Sequence, residues 1–147
     1  MSDNSVKEKY CYNDDPANCT TYGGLYQWNE AMQYVTTPGA IGICPTDWHI
    51  PTLAEFASLR VTVNNDGNAL KEIGEGTGTN TSGFSALMAG LRSSSGFFNL
   101  GGNVNFWSST EDGVTAAGNM WLHYLASVVY ANYYGKEYGF SVRCIKD

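Results

Sequence analysis

The segments FWSSTE (residues 106–111) and YGFSVRC (residues 138–144) enclose the most unusual stretch of this chain. Between them, residues 113–135 read GVTAAGNMWLHYLASVVYANYYG and contain no Lys, Arg, Asp or Glu. We call residues 113–135 the uncharged tract. Tyr and Trp give a large contact area at low entropic cost, while Ser, Gly and Asn give adaptable hydrogen bonds, as in binding loops. The tract therefore has the composition of a binding surface held between two structural segments.

The sequence on both sides of the tract predicts short strands. Residues 104–107 alternate in character, and the end of the chain is rich in β-branched and aromatic residues. Gly and Ser interrupt the middle of the chain and indicate turns, such as the one at residues 93–96. We predict strands at residues 84–87 (continued by Leu91), 104–107, 120–125, 128–131 and 140–145.

Two helices are predicted ahead of most of these strands. An apolar stripe with i, i+3 and i+7 spacing favours a helix over residues 25–34. A second helix should start at Thr52, because Thr52 and Glu55 have the spacing of a capping box. A short helical turn is expected near residues 68–73. Early helices and late antiparallel strands predict a single α+β domain.

The composition argues against two classes of partner. Charged residues make up 15% of the 147 residues, and the net charge is −6 with only eight Lys plus Arg. Nucleic-acid affinity depends on neutralising phosphates, so no nucleic-acid partner is expected. No apolar run approaches the roughly 18 residues that cross a bilayer, so no membrane span is expected in this chain. The polar first residues do not read as a signal peptide.

The four cysteines indicate disulfide bonds. Cys11, Cys19, Cys44 and Cys144 allow three connectivities. We favour Cys11–Cys19, which closes a short polar loop, and Cys44–Cys144, which ties the middle of the chain to its end. The alternative is four buried free thiols. There is no C-x-x-C pair and neither histidine has metal-ligand spacing, so no zinc site is expected. Disulfides require an oxidising compartment, which predicts an extracellular or cell-surface location with the signal or anchor outside this chain.

Five segments carry a specific resemblance, and they run through most of the chain in order. They are CYNDDPANCTTYGGLYQWNEAM (residues 11–32), CPTDWHIPTLAEF (44–56), NTSGFSALMAGLRSSSGFF (80–98), FWSSTE and YGFSVRCIKD (138–147). By these segments the chain resembles the Fibrobacter succinogenes major paralogous domain family. The resemblance implies a C-type lectin-like fold, with two helices, a mostly antiparallel sheet and long irregular loops. It places one domain at residues 10–147 and leaves residues 1–9 as a disordered or truncated segment.

The same fold and closing motifs occur in variable proteins of diversity-generating retroelements, in which adenines near the 3′ end of the gene are randomised. The resemblance implies a fixed framework that includes Trp107, Trp121, Phe140, Arg143 and Cys144. It also implies a ligand-contacting set whose members could all arise from Asn codons. This predicted ligand set is Asp112, Gly113, Val114, Leu122, Tyr124, Tyr130, Asn132, Tyr133 and Tyr134.

The orientation of individual side chains follows from their type and setting. Trp121, Leu125 and Phe140 should be buried, because large apolar residues in strands usually are. At least two of the tyrosines at positions 130, 133 and 134 should be exposed, because they crowd around Asn132 and Gly135 in a turn-like setting.

The function expected from these observations is binding without catalysis. The ligand is a protein or another surface ligand, and neither a metal nor a cofactor is expected. Calcium would need clustered acidic oxygen ligands, and Trp28-Asn29-Glu30 lies inside a predicted helix. His49 reads as a hydrogen-bonded structural residue, and Arg143 should bond inward to backbone carbonyls or to Glu111. The alternatives are an invariant cell-surface or adhesion module and a carbohydrate-binding lectin-like domain.

Overall fold

The computed structural model describes residues 3–147 of the chain. Helices dominate its first half and antiparallel strands its second, so the α+β prediction is confirmed. The elements are α1 (Pro16–Tyr22), α2 (Trp28–Ala31), β1 (Trp48–His49), α3 (Leu53–Thr62), β2 (Leu91–Ser93), β3 (Gly96–Phe98), β4 (Asn103–Asp112), β5 (Ala116–His123), β6 (Tyr130–Gly135) and β7 (Ile145–Lys146), with 3₁₀ turns at Tyr12–Asp14 and Gly67–Ala69.

A three-stranded antiparallel sheet in the order β4-β5-β6 forms the centre of the molecule. Trp121 of β5 lies opposite Asn105 of β4 and Tyr130 of β6. On the other side of β4, the Ser141 N–H donates to Asn105 O at 2.9 Å and the Trp107 N–H donates to Ser141 O at 3.0 Å. The uncharged tract therefore supplies two of the three central strands, β5 and β6.

Helix α3 begins where the capping box predicts. The Thr52 hydroxyl accepts a hydrogen bond from the Glu55 N–H, and the Glu55 carboxylate accepts one from the Thr52 N–H. The helix buries Phe56 in a core cluster with Met120 and Leu122 of β5. This contact places α3 against one face of the central sheet.

The first predicted helix is much shorter than residues 25–34. Leu25 and Tyr26 form strand-like bridges with Tyr10 and Phe140, so their backbone cannot take part in a helix. Trp28 and Met32 are nevertheless fully buried. A third helix, α1, was not predicted, although its start carries a local signal. Asp15 accepts from the Ala17 N–H at 2.9 Å, and Pro16 occupies the first helical position.

Two of the predicted strands, at residues 84–87 and 140–145, do not form in the described part of the chain. Ser85 has a φ of 56°, a left-handed conformation that interrupts an extended segment at residues 84–87. Phe140 and Ser141 make single bridges, and regular pairing resumes in the two-residue strand β7, which pairs with β1. Residues 140–145 therefore run along the sheet without forming a continuous strand.

Indole rings and the Cys44–Cys144 disulfide stabilise the second core cluster, which consists of Trp28, Ala31, Met32, Cys44, Ile50, Trp107, Ala117 and Phe140. The Trp28 Nε1–H donates to Ser108 O and the Trp107 Nε1–H donates to Tyr26 O, each at 2.8 Å. The Trp107 ring centroid lies 4.4 Å from that of Phe140. Disulfides join Cys11 to Cys19 and Cys44 to Cys144, as favoured from the sequence.

The start of the chain is only partly described. Met1 and Ser2 lie outside the described residues, and residues 3–9 have irregular backbone. The Glu8 N–H donates to the Glu30 carboxylate at 3.1 Å. The interpretation of residues 1–9 as disordered or truncated stays a prediction. Within residues 3–147, no helix has the length and apolar character needed to traverse a bilayer.

His49 ties β1 to α3 and to the end of the chain. Its Nδ1 lies 2.6 Å from Asp147 Oδ1 and its Nε2 lies 2.9 Å from Glu55 Oε1. The hydrogen bond with Asp147, supported by the one with Glu55, raises the pKa of His49 against the opposing effect of burial. Folding therefore stabilises the protonated ring relative to the unfolded chain, in keeping with the structural role predicted for this histidine.

The free energy of unfolding should depend on pH through His49. Since the folded-state pKa exceeds the unfolded value of about 6.5, this contribution is complete below pH ~6.5 and is lost as pH rises through the folded pKa. We expect a loss of less than about 1 kcal/mol, because the two carboxylates are partly exposed. Urea unfolding at a series of pH values above 6 measures it. His49→Gln should flatten the profile in this window, and an identical slope in both proteins would contradict the assignment.

Candidate functional site

Alternation along β5 divides the uncharged tract between two faces of the sheet. Met120 and Leu122 join the core cluster under α3, and a Cβ atom added to Gly118 would come within 2.5 Å of the Leu53 side chain. These three residues define the α3 face. The opposite face, which we call the open face, carries Asn119, Trp121 and His123 on β5, Asn103 and Asn105 on β4, and Tyr130 and Asn132 on β6.

The structure corrects the predicted orientation of two leucines, Leu122 on β5 and Leu125 in the loop that follows β5. Leu122, placed in the predicted ligand set, is completely buried, whereas Leu125, predicted to be buried, is 59% exposed. Trp121 is half-buried rather than a core residue, while Phe140 is fully buried as predicted. In a strand, an error of one residue in the assumed register moves every side chain to the other face. Leu122 therefore belongs to the core and not to a ligand surface.

The three clustered tyrosines are less exposed than predicted. Tyr133 is 50% exposed, whereas Tyr130 and Tyr134 are half-buried. Tyr130 stacks on Trp121 with ring centroids 4.1 Å apart and planes 14° apart. Tyr134 packs edge-on against Phe140 at 5.4 Å, on the side of the second core cluster. Only Tyr133 of the three is exposed, because aromatic neighbours cover much of Tyr130 and Tyr134.

The other end of the tract is the turn between β4 and β5. Asp112, Gly113 and Val114 are all exposed, and Val114 is 89% exposed. Lys136 reaches this turn from beyond β6, and its ammonium donates to Glu111, to Gly113 O at 3.3 Å and to Val114 O at 3.0 Å. The ammonium also lies 4.3 Å from the centre of the Trp28 ring, a cation–π contact. A mostly buried lysine thus holds the turn through its backbone.

A second lysine anchors the loop that follows β5. Lys71 is fully buried, and its ammonium donates to Thr77 Oγ1 at 3.0 Å. It also donates to the carbonyl oxygens of His123, Tyr124 and Ala126 at 3.0–3.1 Å. Burial lowers the pKa of Lys71. The sequence analysis missed this anchor, since Lys71 is more than 50 positions from the carbonyls it binds.

Side chains presented by this loop and by the open face form an uncharged aromatic surface. Tyr124 is 37% exposed, and its ring lies 4.9 Å from that of His123. Leu125 follows it in the same loop, and the stacked Trp121–Tyr130 pair lies on the adjoining strands. Asn132 is exposed on the same face as Tyr130. We call these residues the aromatic surface: Trp121, His123, Tyr124, Leu125, Tyr130 and Asn132.

A row of asparagines lies in the sheet on the open face. The Asn119 Nδ2–H donates to Asn105 Oδ1 at 2.8 Å, and both side chains are buried. Asn105 Nδ2, Asn119 Oδ1 and Asn103 Oδ1 have no hydrogen-bond partner among the described residues. A buried polar atom without a partner costs about 1–3 kcal/mol. The sequence analysis did not single out these residues, because their shared face follows from the strand register.

The acidic residue of the Trp28-Asn29-Glu30 segment is used in the fold. Glu30, from the Trp28-Asn29-Glu30 segment, is buried and accepts a hydrogen bond from the Tyr34 hydroxyl, which raises the pKa of Tyr34 to about 12. Within residues 3–147, no three His, Cys, Asp or Glu side chains cluster as a metal site would require.

Comparison with known families identifies one family that covers nearly the whole chain. The family model of the Fibrobacter succinogenes major domain matches residues 2–146. The chain belongs to this family. Searches of curated proteins and of solved structures found no match. The family match spans both disulfides, the central sheet and the whole uncharged tract of this Fibrobacter succinogenes major domain.

The closing motif of the family domain is fixed by Arg143. Its guanidinium donates to Phe84 O at 2.7 Å and to Ser85 O at 3.3 Å, and it lies 4.7 Å from the centre of the Phe84 ring. Burial lowers the pKa of Arg143. Of the two partners predicted for this residue, the structure selects the backbone carbonyls, and Glu111 pairs with Lys136 instead.

Proposed function

We propose that this domain binds a protein ligand through the aromatic surface, with the β4–β5 turn at the opposite end of β5 as a second contact region. The observation that carries the proposal is the stacked Trp121–Tyr130 pair, which lies on a sheet beside the exposed Tyr124 and Leu125. Exposed uncharged aromatic patches are typical of binding sites, and interface cores are enriched in aromatic residues and depleted of charge. The remaining predicted contacts lie apart from this surface: Asp112, Gly113 and Val114 in the β4–β5 turn, Tyr133 on the α3 face, and Tyr134 beside Phe140.

Rigidity supports this proposal. Tyr130 and Trp121 lie on hydrogen-bonded strands, and Lys71 fixes the backbone on either side of Leu125. Aromatic side chains that are already ordered lose little conformational entropy when a ligand binds. We therefore expect a few aromatic anchors to supply most of the binding free energy.

The finer proposal is that the domain is a diversified receptor with a C-type lectin-like fold, exported from the cell. Two disulfides support the export. The alternative is an invariant adhesion module. A diversified gene should lie near a reverse transcriptase and an adenine-rich near-duplicate of its 3′ end, and genomic copies should differ at the proposed positions. Identical copies without these elements would support the adhesion module.

Truncating the anchors should abolish binding without unfolding the domain. The immobilised native domain is first used to capture proteins from the secreted fraction of a microbial community. The double variant Tyr124→Ala/Tyr130→Ala should bind these proteins at least tenfold more weakly than the native domain does. Phe98→Ala is the matched control, because Phe98 is an aromatic residue that is 43% exposed on β3 and is not part of the aromatic surface. Binding is measured by biolayer interferometry and folding by thermal melting. Equal losses in both variants, or no loss in either, would contradict the proposal.

A further inference from the structure

Strand β6 presents an open edge to solvent. It is the outermost strand of the central sheet, and none of the described strands pairs with its outer side. The backbone is covered just before and just after it: the Gly67 N–H donates to Ser127 O at 2.9 Å and the Trp28 N–H donates to Lys136 O at 3.1 Å. Between these contacts, residues 130–135 read YANYYG. This segment contains neither Pro nor any charged residue, which are the residues that commonly protect an edge strand.

The backbone groups that face outward can be identified. The Tyr133 N–H points away from β5, because it donates to the Asn132 side chain at 2.9 Å. Inward and outward residues alternate along an antiparallel strand, so Ala131 faces the same edge as Tyr133. The N–H and C=O of Ala131 and the C=O of Tyr133 are therefore directed toward an incoming strand.

A groove runs between this edge and helix α3. It has a volume of about 280 Å³, and Leu53, Phe56, Ala57 and Arg60 of α3 form one wall. The other wall is formed by residues 129–133 with Met120 at the base. Ala131 and Tyr133 lie on the α3 face, since they pair with Met120 and Gly118. The groove can thus accept an apolar side chain from a strand added to β6.

Arg60 is the charged residue in the lining of this groove. Arg60 Nε donates to Asn65 Oδ1 at 2.8 Å, and the same oxygen accepts the Val129 N–H at 3.2 Å. These two bonds hold the guanidinium beside the start of β6. No carboxylate within residues 3–147 forms an ion pair with Arg60, and the remaining groove residues are uncharged. A fixed guanidinium in this position favours a carboxylate on the incoming strand.

We propose that β6 binds an extended peptide segment of a partner protein as an added strand. The segment hydrogen-bonds to Ala131 and Tyr133, inserts an apolar side chain between β6 and α3, and pairs an Asp or Glu with Arg60. Main-chain bonds give affinity in this mode of recognition, and alternate side chains give specificity. This site shares Tyr130 and Asn132 with the aromatic surface, but binding of an added strand at the β6 edge does not depend on the proposed function.

A second copy of the chain fits the edge less well than such a peptide. Residues 130–135 contain no carboxylate, so the β6 strand of a second copy offers Arg60 no acidic partner within the paired residues. Each copy also carries a net charge of −6, which disfavours self-association. A partner segment with an acidic residue forms an ion pair with Arg60 and does not bring two domains of like charge together.

Random ten-residue peptides displayed on phage provide the probe for this site. Peptides selected on the native domain should contain a large apolar residue and an Asp or Glu at a fixed spacing. Ala131→Pro should lower their affinity at least tenfold in fluorescence polarisation, because it removes the outward N–H while an edge strand tolerates proline. Arg60→Gln should abolish the preference for the acidic residue, shown by comparison with a peptide in which Asn or Gln replaces it.

Two further measurements keep this experiment decisive. Bound peptide should protect the Ala131 amide from hydrogen exchange in the native domain, which needs no variant. Tyr124→Ala alone, which changes the aromatic surface but no residue of the groove, should bind the peptides normally. Failure to select any peptide, peptide binding that persists in a folded Ala131→Pro variant, or no protection of the Ala131 amide would each overturn the proposal. Dimerisation of the native domain that Ala131→Pro abolishes, seen by analytical ultracentrifugation, would assign the edge to a second copy.

Discussion

The double variant Cys44→Ala/Cys144→Ala should lose on the order of 4–5 kcal/mol of unfolding free energy. The two residues are separated by 100 positions, and cross-linking so long a loop removes much of the entropy of the unfolded chain. The same bond joins α2 and its core cluster to the closing segment beside β4. Many domains have a total stability of about 5–15 kcal/mol, so this loss is large enough to unfold a marginal one.

The second disulfide is the internal control for this prediction. Cys11 and Cys19 are only 8 positions apart, so Cys11→Ala/Cys19→Ala should lose roughly 2–3 kcal/mol by the same entropic argument. Guanidinium unfolding of both variants under identical conditions gives the two values. A smaller loss for the long loop than for the short one would show that the entropic argument does not describe this domain.

Lys71→Met should destabilise the domain by roughly 3 kcal/mol or more. The substitution keeps the apolar stem but removes the ammonium that donates to Thr77 and to three backbone carbonyls. Hydrogen bonds to a charged group contribute about 1.5–3 kcal/mol each, although neighbouring bonds are not additive. The Tyr124 carbonyl keeps the Thr77 N–H as a donor, whereas Ala126 O loses its ammonium partner.

Hydrogen exchange distinguishes a local effect of Lys71→Met from general instability. The loop at residues 123–127 should exchange faster in the variant, even under conditions in which α3 remains protected. Lys146→Met is the matched control, because Lys146 is exposed and substitutions at such positions usually change stability by less than about 0.5 kcal/mol. Equal stability of the two lysine variants would contradict the anchoring role.

Sequence signals that involve residues close together in the chain predicted the local structure correctly. The capping box at Thr52 and Glu55 fixed the start of α3, because all of its interactions lie within four residues. The cysteine pairing was also predicted, since one short and one long spacing left few sensible arrangements. The Asp15–Pro16 start of α1 carried a similar local signal that the sequence analysis overlooked.

Properties that depend on the sheet register were not predictable. The chain from Trp121 to Leu125 is apolar or aromatic at nearly every position, so its pattern does not specify which residues face α3. The structure buries Leu122 and exposes Leu125, the reverse of the prediction. The roles of Lys71 and Arg60 depend on contacts with distant segments or on an open strand edge, and neither is visible in a linear pattern.

The two buried lysines have a consequence for how this domain can evolve. Lys71 and Lys136 bind the loops of the uncharged tract through main-chain carbonyl oxygens. Every amino acid has a main-chain carbonyl oxygen, so these hydrogen bonds do not depend on which side chains stand at positions 114, 124 and 125. Mutations can therefore change the side chains that these loops expose to solvent while the hydrogen bonds from Lys71 and Lys136 are retained.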